Sequence, residues 1–509
     1  MANTEVLIVG AGPSGLVLAL WLNKLGVPLR LIDKAAEPGT TSRALAVQAR
    51  TLELYRQLDL TDAVLAEGYR TEAVNLWTQG QHRARFSLGA AGEGLTPYPF
   101  LYIYPQDRHE RLLISRLEAR GVRVERPAEL VGCEDRGEHV LAHIQHADGR
   151  SETCEASYII GCDGAHSAVR KAMGVDYPGG TYPQLFYVAD IEGAGPALNG
   201  ELNIDLEESD LLALFPLART GSARLVGTIR DERAERETTL TFDDVSDRAI
   251  NNLKLDIRKL NWFSTYRVHH RVAEQFRRGR AFLVGDAGHI HSPAGGQGMN
   301  TGIGDAINLA WKLAAVLQGR APDGLLDSYE AERIAFARRL VATTDRAFRF
   351  ISADGPIADI VRTRLAPSVV PLMFRVPAGR RFFFRTVSQT VLNYRDGPIS
   401  RGIAGKVHGG DRLPWVVADG IDNYASLDSV DWQVHVYGRA QAELADWCAA
   451  RGIALHVFAW SLAHEAAGLA RDAIYLLRPD TYVALAGATG TGAALDVYFK
   501  DIEVCIAAL

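Results

Sequence analysis

A chain of 509 residues with 47% hydrophobic content has length for about three ordinary domains and material for their cores, which predicts a globular, multidomain protein. A net charge of −6, with lysine and arginine spread along the chain rather than blocked, offers no basic field and argues against a nucleic-acid partner. No apolar run approaches the roughly 18 to 20 residues that cross a bilayer, and MANTEVLIVGAG at the start lacks a basic segment leading into an apolar one, so a cytoplasmic protein with no membrane partner is expected.

In chain order, residues 5–33 read as one βαβ unit: a buried strand EVLIVG, a glycine turn, an apolar helix LVLALWLNKLG stopped at Gly26, and a second strand PLRLID. A periodic helix over 109–121, HERLLISRLEARG, leads into VRVERP and alternating segments that end at YIIGCDGAHSAVR. From Gly179 to about residue 264, short alternating stretches such as FYVADIEG, LNIDLE, LLALFPL and ARLVGTIR predict antiparallel strands, hence a second domain inserted into the first, with part of 75–103 joining its sheet.

RAFLVGDAG then returns the chain to a buried strand and a glycine turn. The helix that follows, NTGIGDAINLAWKLAAVLQG, places Ile303, Ile307, Trp311, Ala314 and Leu317 on one side and Gly319 near its end. Residues 323 to about 395 read as helical. The tract RDGPISRGIAGKVHGGDRLP separates a last α/β module over 405–509. The expected division is 1–178 with 265–395, then 179–264, then 405–509. Cys133, Cys154, Cys162, Cys448 and Cys505 form an odd set without CxxC spacing, so free thiols are expected rather than a disulfide framework or a metal site.

Gly10-Ala-Gly12-Pro-Ser-Gly15 lies between the first strand and helix, and Asp33 closes the second strand. The glycines permit a tight turn, close backbone approach to a pyrophosphate and close helix–strand packing; the helix start faces phosphate charge, and Asp33 can accept from a ribose hydroxyl. Such a constellation binds a dinucleotide. FAD and NAD carry the same ADP half, so this turn does not separate them.

Two later segments do. Gly161-Cys162-Asp163-Gly164-Ala165-His166-Ser167, with Arg170 beyond it, and Gly285-Asp286-Ala287-Gly288-His289, ahead of SPAGGQGMNTG, each follow a predicted strand. With the first turn, they resemble the single-component flavoprotein aromatic hydroxylases, the group of p-hydroxybenzoate hydroxylase and phenol hydroxylase. The resemblance implies an α/β fold: a Rossmann-like FAD-binding domain over 1–178 and 265–395, an inserted antiparallel substrate sheet, and a thioredoxin-like C-terminal domain, for which AIYLLRPDTYVAL is similar to the phenol hydroxylase branch. Lacking CxxC, that tail is expected to be structural or interfacial rather than redox-active.

By resemblance, Asp163 and Gly164 lie near FAD, Asp286 next to Gly285 contacts the ribityl chain, and Gly298, Met299 and Asn300 turn backbone amides to the N1/O2 edge of the isoalloxazine. A helix start suits that edge, because reduced flavin is anionic around N1. Ser42-Arg43-Ala44 matches the pattern in which the arginine approaches the pyrophosphate, and Gln106, heading the 109–121 helix, matches a glutamine that touches the cofactor.

The implied activity is monooxygenation of a small phenolic or polyketide-like aromatic substrate by O2 and NADPH or NADH, through a C4a-hydroperoxyflavin. No second GxGxxG has strand–helix context, so NAD(P)H is expected to bind transiently, near Arg43 and the 161–167 segment. The pocket is expected beneath the inserted sheet and the SPAGG loop, with Phe215, Pro216, His289, His291 and Pro293 as candidate contacts. No residue is marked by spacing as the base that deprotonates substrate. A homodimer is a further expectation. The same cofactor motifs also serve Baeyer–Villiger oxidation and epoxidation, and a non-catalytic flavin-binding protein would keep the fold. Halogenases of this fold carry WxWxIP, which the sequence lacks.

Overall fold

The computed structural model describes residues 2–39, 44–206, 211–229, 240–245, 247–292, 295–352, 376–488 and 491–506. EVLIVG is apolar without alternation because Ala2–Val9 lies inside a parallel sheet, covered on both faces. Val6 stands opposite Tyr158 of Ser151–Gly161 on one side and Leu29 of Leu29–Ile32 on the other. Ala281–Leu283 and Val124–Glu125 extend the parallel run outward. Ala128–Asp135, Val140–His146 and Arg277–Arg278 add antiparallel pairings to make eight strands.

Helix Pro13–Lys24 packs against both Gln106–Glu118 and Gly298–Leu317. The helix expected at 109–121 begins at Gln106 and ends at Glu118. Pro105 stands at its N-cap, where a fixed φ suits a helix start, and the chain leaves the helix through Gly121 at φ +79. Of the stretch read as helical after residue 323, Asp327–Ser352 and Pro377–Val387 are helices, and 353–375 lies outside the described residues.

The alternating segments form a second eight-stranded sheet, ordered His289–Ile290, Asp256–Val272, Gly179–Ala194, Ser222–Ile229, Leu211–Pro216, Leu202–Leu206, Ala73–Thr78, Gln81–Ser87. Alternation gives it two unlike faces. Leu185, Tyr187, Ala189, Leu212, Leu214, Ala223 and Leu225 make a core on one. Phe186, Ala213, Phe215 and Arg224 point the other way. Asp256–Val272 is one 17-residue strand, so it runs without a break through residue 264, and its end pairs with His289–Ile290 beside the 285–288 turn.

A third, mixed sheet of six strands carries the tail, with Gln433–Tyr437 parallel to Ala454–Phe458 and antiparallel to Ile474–Leu477. Helices Ala442–Ala450 and Gly492–Asp501 complete this α/β module. The five cysteines are free thiols. No described helix is long and apolar enough to cross a membrane.

The tail docks through buried charge. Arg478 donates to Glu332 at 2.6 and 3.1 Å and to Asp480 at 2.9 Å, while Lys312 lies 2.9 Å from Glu332. Burial alone would raise the Glu332 pKa, but the Arg478 and Lys312 charges outweigh it and hold the carboxyl down to about 2; burial pushes Lys312 down to about 8. Removing one partner of such a buried set leaves uncompensated charge, so Glu332→Gln is expected to cost about 3–5 kcal/mol at pH 7. Because the folded-state pKa lies below the unfolded value of 4.5, this stabilisation is complete above pH 4.5 and is lost as pH falls toward about 2. Denaturation midpoints from pH 7 to 3 should therefore fall less steeply in the variant than in the wild type. Equal acid limbs would remove Glu332 as the cause.

Candidate flavin-binding site

The first turn is shaped by what its glycines leave out. Gly10 has φ +101, and a Cβ there would come within 2.4 Å of the Cys162 carbonyl oxygen. A Cβ on Gly15 would stand 2.0 Å from the Gly10 oxygen, so the helix can approach the strand only with glycine. Gly12 differs: nothing lies within 4 Å of its Cβ position, and it caps helix Pro13–Lys24 without any side-chain hydrogen bond. An uncapped helix start facing open space is what a pyrophosphate needs.

Asp33 holds this turn. Its carboxylate accepts from Ala11 N at 2.7 Å and Ala35 N at 2.8 Å, and Arg126 lies 3.3 Å away. Asp163 Oδ2 accepts from Ala168 N at 2.6 Å, capping helix Ala168–Met173, while its Oδ1 is buried without a partner among the described residues. Gly164 takes φ +75. Arg170 joins the second and third motifs, donating to Ala165 O and Ala287 O, each at 2.7 Å.

In the third motif Gly285 has φ +63, and Ser14 Oγ from the first motif sits between it and Gly302: Cβ atoms added there would approach that oxygen to 2.7 and 2.3 Å. The three glycine turns thus meet at one knot. Asp286 is exposed beside it, and its carbonyl accepts from Tyr177 OH at 2.9 Å.

Helix Gly298–Leu317 also starts without a side-chain cap. At Gly298 an added Cβ would meet only the His291 ring, at 3.8 Å, and Met299 is half-buried against the core. The Asn300 side chain is wholly engaged: Oδ1 accepts from Gln48 N at 2.9 Å and Thr51 Oγ1 at 2.8 Å, and Nδ2 donates to Ala46 O and Gly296 O. Gln106 donates to Glu110 at 2.7 Å, and its backbone N–H reaches Ala44 O at 3.0 Å, beside the segment that carries Arg43. Arg43 and Pro293 lie outside the described residues.

Of the expected pocket contacts, Phe215 belongs to an apolar cluster with Leu45, Ala46, Leu101, Ile103, Leu202, Leu217 and Phe383. Pro216 is buried at the strand end opposite Ala223. His291 donates from Nδ1 to Ser292 O at 2.8 Å, which leaves Nε2 an acceptor, sealed from solvent and unpartnered among the described residues. Burial, with His289 nearby, pushes the His291 pKa down to about 4.

His289 departs from expectation. Its ring is 1% exposed, stacked on Phe276 and bonded to Asp305 at 2.7 Å, which makes it part of the core rather than a pocket wall. Asp305 is the residue that sequence reasoning missed. It also accepts from Gly285 N at 3.0 Å and pairs with Arg333. The available signal was a single acidic residue in a helix rich in apolar residues.

The uncapped helix start, the open space at Gly12, the orphaned Asp163 oxygen and the converging glycine turns fit a dinucleotide and define a nucleotide-cofactor enzyme. Residues 3–344 match the FAD binding domain family, and the chain belongs to it. It is 37% identical to 6-methylpretetramide 4-monooxygenase from Streptomyces rimosus over 413 residues, 78% of this chain and 71% of that enzyme. It is 30% identical to pentachlorophenol 4-monooxygenase from Sphingobium chlorophenolicum over 423 residues, 81% of this chain and 76% of that enzyme. Among solved structures, anhydrotetracycline hydroxylase from Streptomyces rimosus is similar at TM-score 0.77 and 28% identity, covering 98% of this chain and 99% of that one. The chain is an FAD-dependent monooxygenase of the aromatic hydroxylase class, in which NAD(P)H is the usual co-substrate.

Burial would raise the Asp305 pKa, but Arg333 and His289 outweigh it and keep the carboxyl ionised. Asp305→Ala strands Arg333 and the Gly285 N–H, with an expected cost of about 3–5 kcal/mol. Thermal melting of the FAD-stripped protein reads this directly, and unchanged melting would show that the network does not hold the turn.

Proposed function

We propose that this monooxygenase hydroxylates a phenolic substrate of the polyketide type, bound between the Phe215 face of the second sheet and the start of helix Gly298–Leu317. One observation carries the reading. Ala46 belongs to the apolar cluster of Phe215 and Phe383, and it also meets the glycine loop, lying 2.9 Å from where a Gly296 Cβ would stand. The apolar wall and the loop that leads to the flavin edge are therefore adjacent. The relatives named for 6-methylpretetramide and anhydrotetracycline support this substrate class.

Gly10, Gly12, Gly15 and Asp33 hold the ADP half of FAD in this reading. Gln106, Asp163, Gly164, Gly285 and Asp286 lie along it, and the N–H groups of Gly298, Met299 and Asn300 meet the flavin edge. Bound FAD supplies the redox chemistry and the activation of O2. The chain supplies the rest: backbone donors where negative charge develops, and apolar walls that keep water out. NAD(P)H is read as docking transiently near the 161–167 segment and Arg43, the latter outside the described residues. The parallel-sheet part is read as the flavin domain and the second sheet as the substrate domain.

His291 is read as the contact for a substrate hydroxyl, its bare Nε2 accepting that proton in a hydrogen bond. His291→Phe removes the acceptor from a buried site, worth about 1–3 kcal/mol, so KM should rise roughly 5- to 150-fold with FAD content unchanged. With its pKa near 4, the ring stays neutral from pH 6 to 8, and kcat/KM should show no histidine limb there.

The reading as a whole is tested by stopped-flow absorbance of the holoenzyme with NADPH or NADH and a panel of phenols, followed by mass and NMR analysis of products. Substrate-accelerated flavin reduction and a product with one new ring carbon–oxygen bond are expected. Flavin that stays oxidised with every phenol would overturn it, and an ester or epoxide product would move the reaction to oxygen insertion elsewhere.

A further inference from the structure

The first turn of helix Gly298–Leu317 is held from behind by a residue in an uphill conformation. Gln389 lies just after helix Pro377–Val387, on the connection to the C-terminal module, and is 6% exposed. Its φ of +60 falls in the left-handed region that a residue with a side chain adopts only under constraint. From there Nε2 donates to Thr301 Oγ1 at 2.9 Å and to Gln297 O at 3.4 Å. Thr301 Oγ1 itself donates to Gln297 O at 3.0 Å, and Arg333 fixes the Thr301 carbonyl at 3.1 Å.

The same connection is tied to the tail. Arg50 N donates to Ser388 O at 3.2 Å, and the Arg50 guanidinium donates to Thr481 Oγ1 at 2.8 Å and Asp480 O at 3.1 Å. Thr481, β-branched and 3% exposed, is also left-handed at φ +66. Such backbones persist where the surroundings over-determine them. A glycine would serve a turn at 389 with no strain, and leucine would fill the space. What glutamine adds is a donor aimed at one helix turn.

We propose that Gln389 is a positioning residue for the flavin: by fixing the Gln297–Thr301 turn it sets how the N–H groups of Gly298, Met299 and Asn300 meet the cofactor edge. The inference rests on the reading above that this turn faces the isoalloxazine. Those donors act on charge that is present only in the reduced, anionic flavin. A turn that drifts therefore weakens binding of reduced FAD more than that of oxidised FAD.

The test compares Gln389→Ala and Gln389→Gly holoenzymes by dye-equilibration potentiometry and by melting. Both variants are expected to lose preference for reduced over oxidised FAD about tenfold, a midpoint potential lower by about 30 mV. Their stabilities should part, the glycine variant melting higher because its backbone is relieved. A wild-type potential in the glycine variant would show that residue 389 matters only as a turn, and would overturn the inference. Gly298→Ala separates the two readings, since the protein itself accommodates that methyl. A shift there with none in the Gln389 variants overturns the inference and keeps the flavin placement; no shift in any of the three overturns both.

Discussion

Asp305 carries a full negative charge in the interior, in the second turn of the helix whose first turn is read as facing the flavin. That charge is tolerable only because three groups converge on it: the Gly285 N–H, the His289 ring and the Arg333 guanidinium. Each serves a different part of the structure. Gly285 opens the third glycine turn, His289 begins the two-residue strand at the edge of the second sheet, and Arg333 reaches Tyr394 on the way to the tail. The low dielectric makes this arrangement steep, since any one group displaced leaves the others unpaired. The glycine knot thus depends on a carboxylate both of whose oxygens are taken by protein groups.

The same economy of shared parts appears around Ala46. Its carbonyl accepts from Asn300, its side chain closes on Gly296, and its neighbours build the apolar wall with Phe215. A two-residue strand, Ala46–Val47, is thereby placed where the glycine loop and the apolar wall meet. Helix Pro377–Val387 contributes Phe383 to that wall and buries Phe384 against Gly92.

The parts of this architecture that could be read from residue order are those with local causes. Gly10, Gly164 and Gly285 need positive φ, and that need is printed in the sequence as glycine. The two faces of the second sheet follow from alternation alone. The start of helix Gln106–Glu118 was displaced by three residues from its periodic pattern, because Pro105 fixes the entry and periodicity registers only the buried positions that follow. The place of His289 beside the turn points to a pocket residue, and nothing local reveals that its partner Asp305 lies in the following helix. Gln389 and Thr481 are harder still, since a left-handed glutamine or threonine has no signature in composition or spacing. Phe383 sits in RRFFFR, where three consecutive aromatics offer no cue as to which one faces the wall.

The strand Asp256–Val272 bears on how such enzymes can be recombined. Within the second sheet, one end lies opposite Ala194 and the other pairs with His289–Ile290 next to the glycine knot. A chimera cut near residue 264 would join half of one protein's strand to half of another's, and a one-residue slip in that splice would turn every side chain to the opposite face. Exchange of the second sheet between relatives has its natural seam beyond the His289–Ile290 pairing, so that the incoming sheet brings its own attachment to the buried carboxylate network.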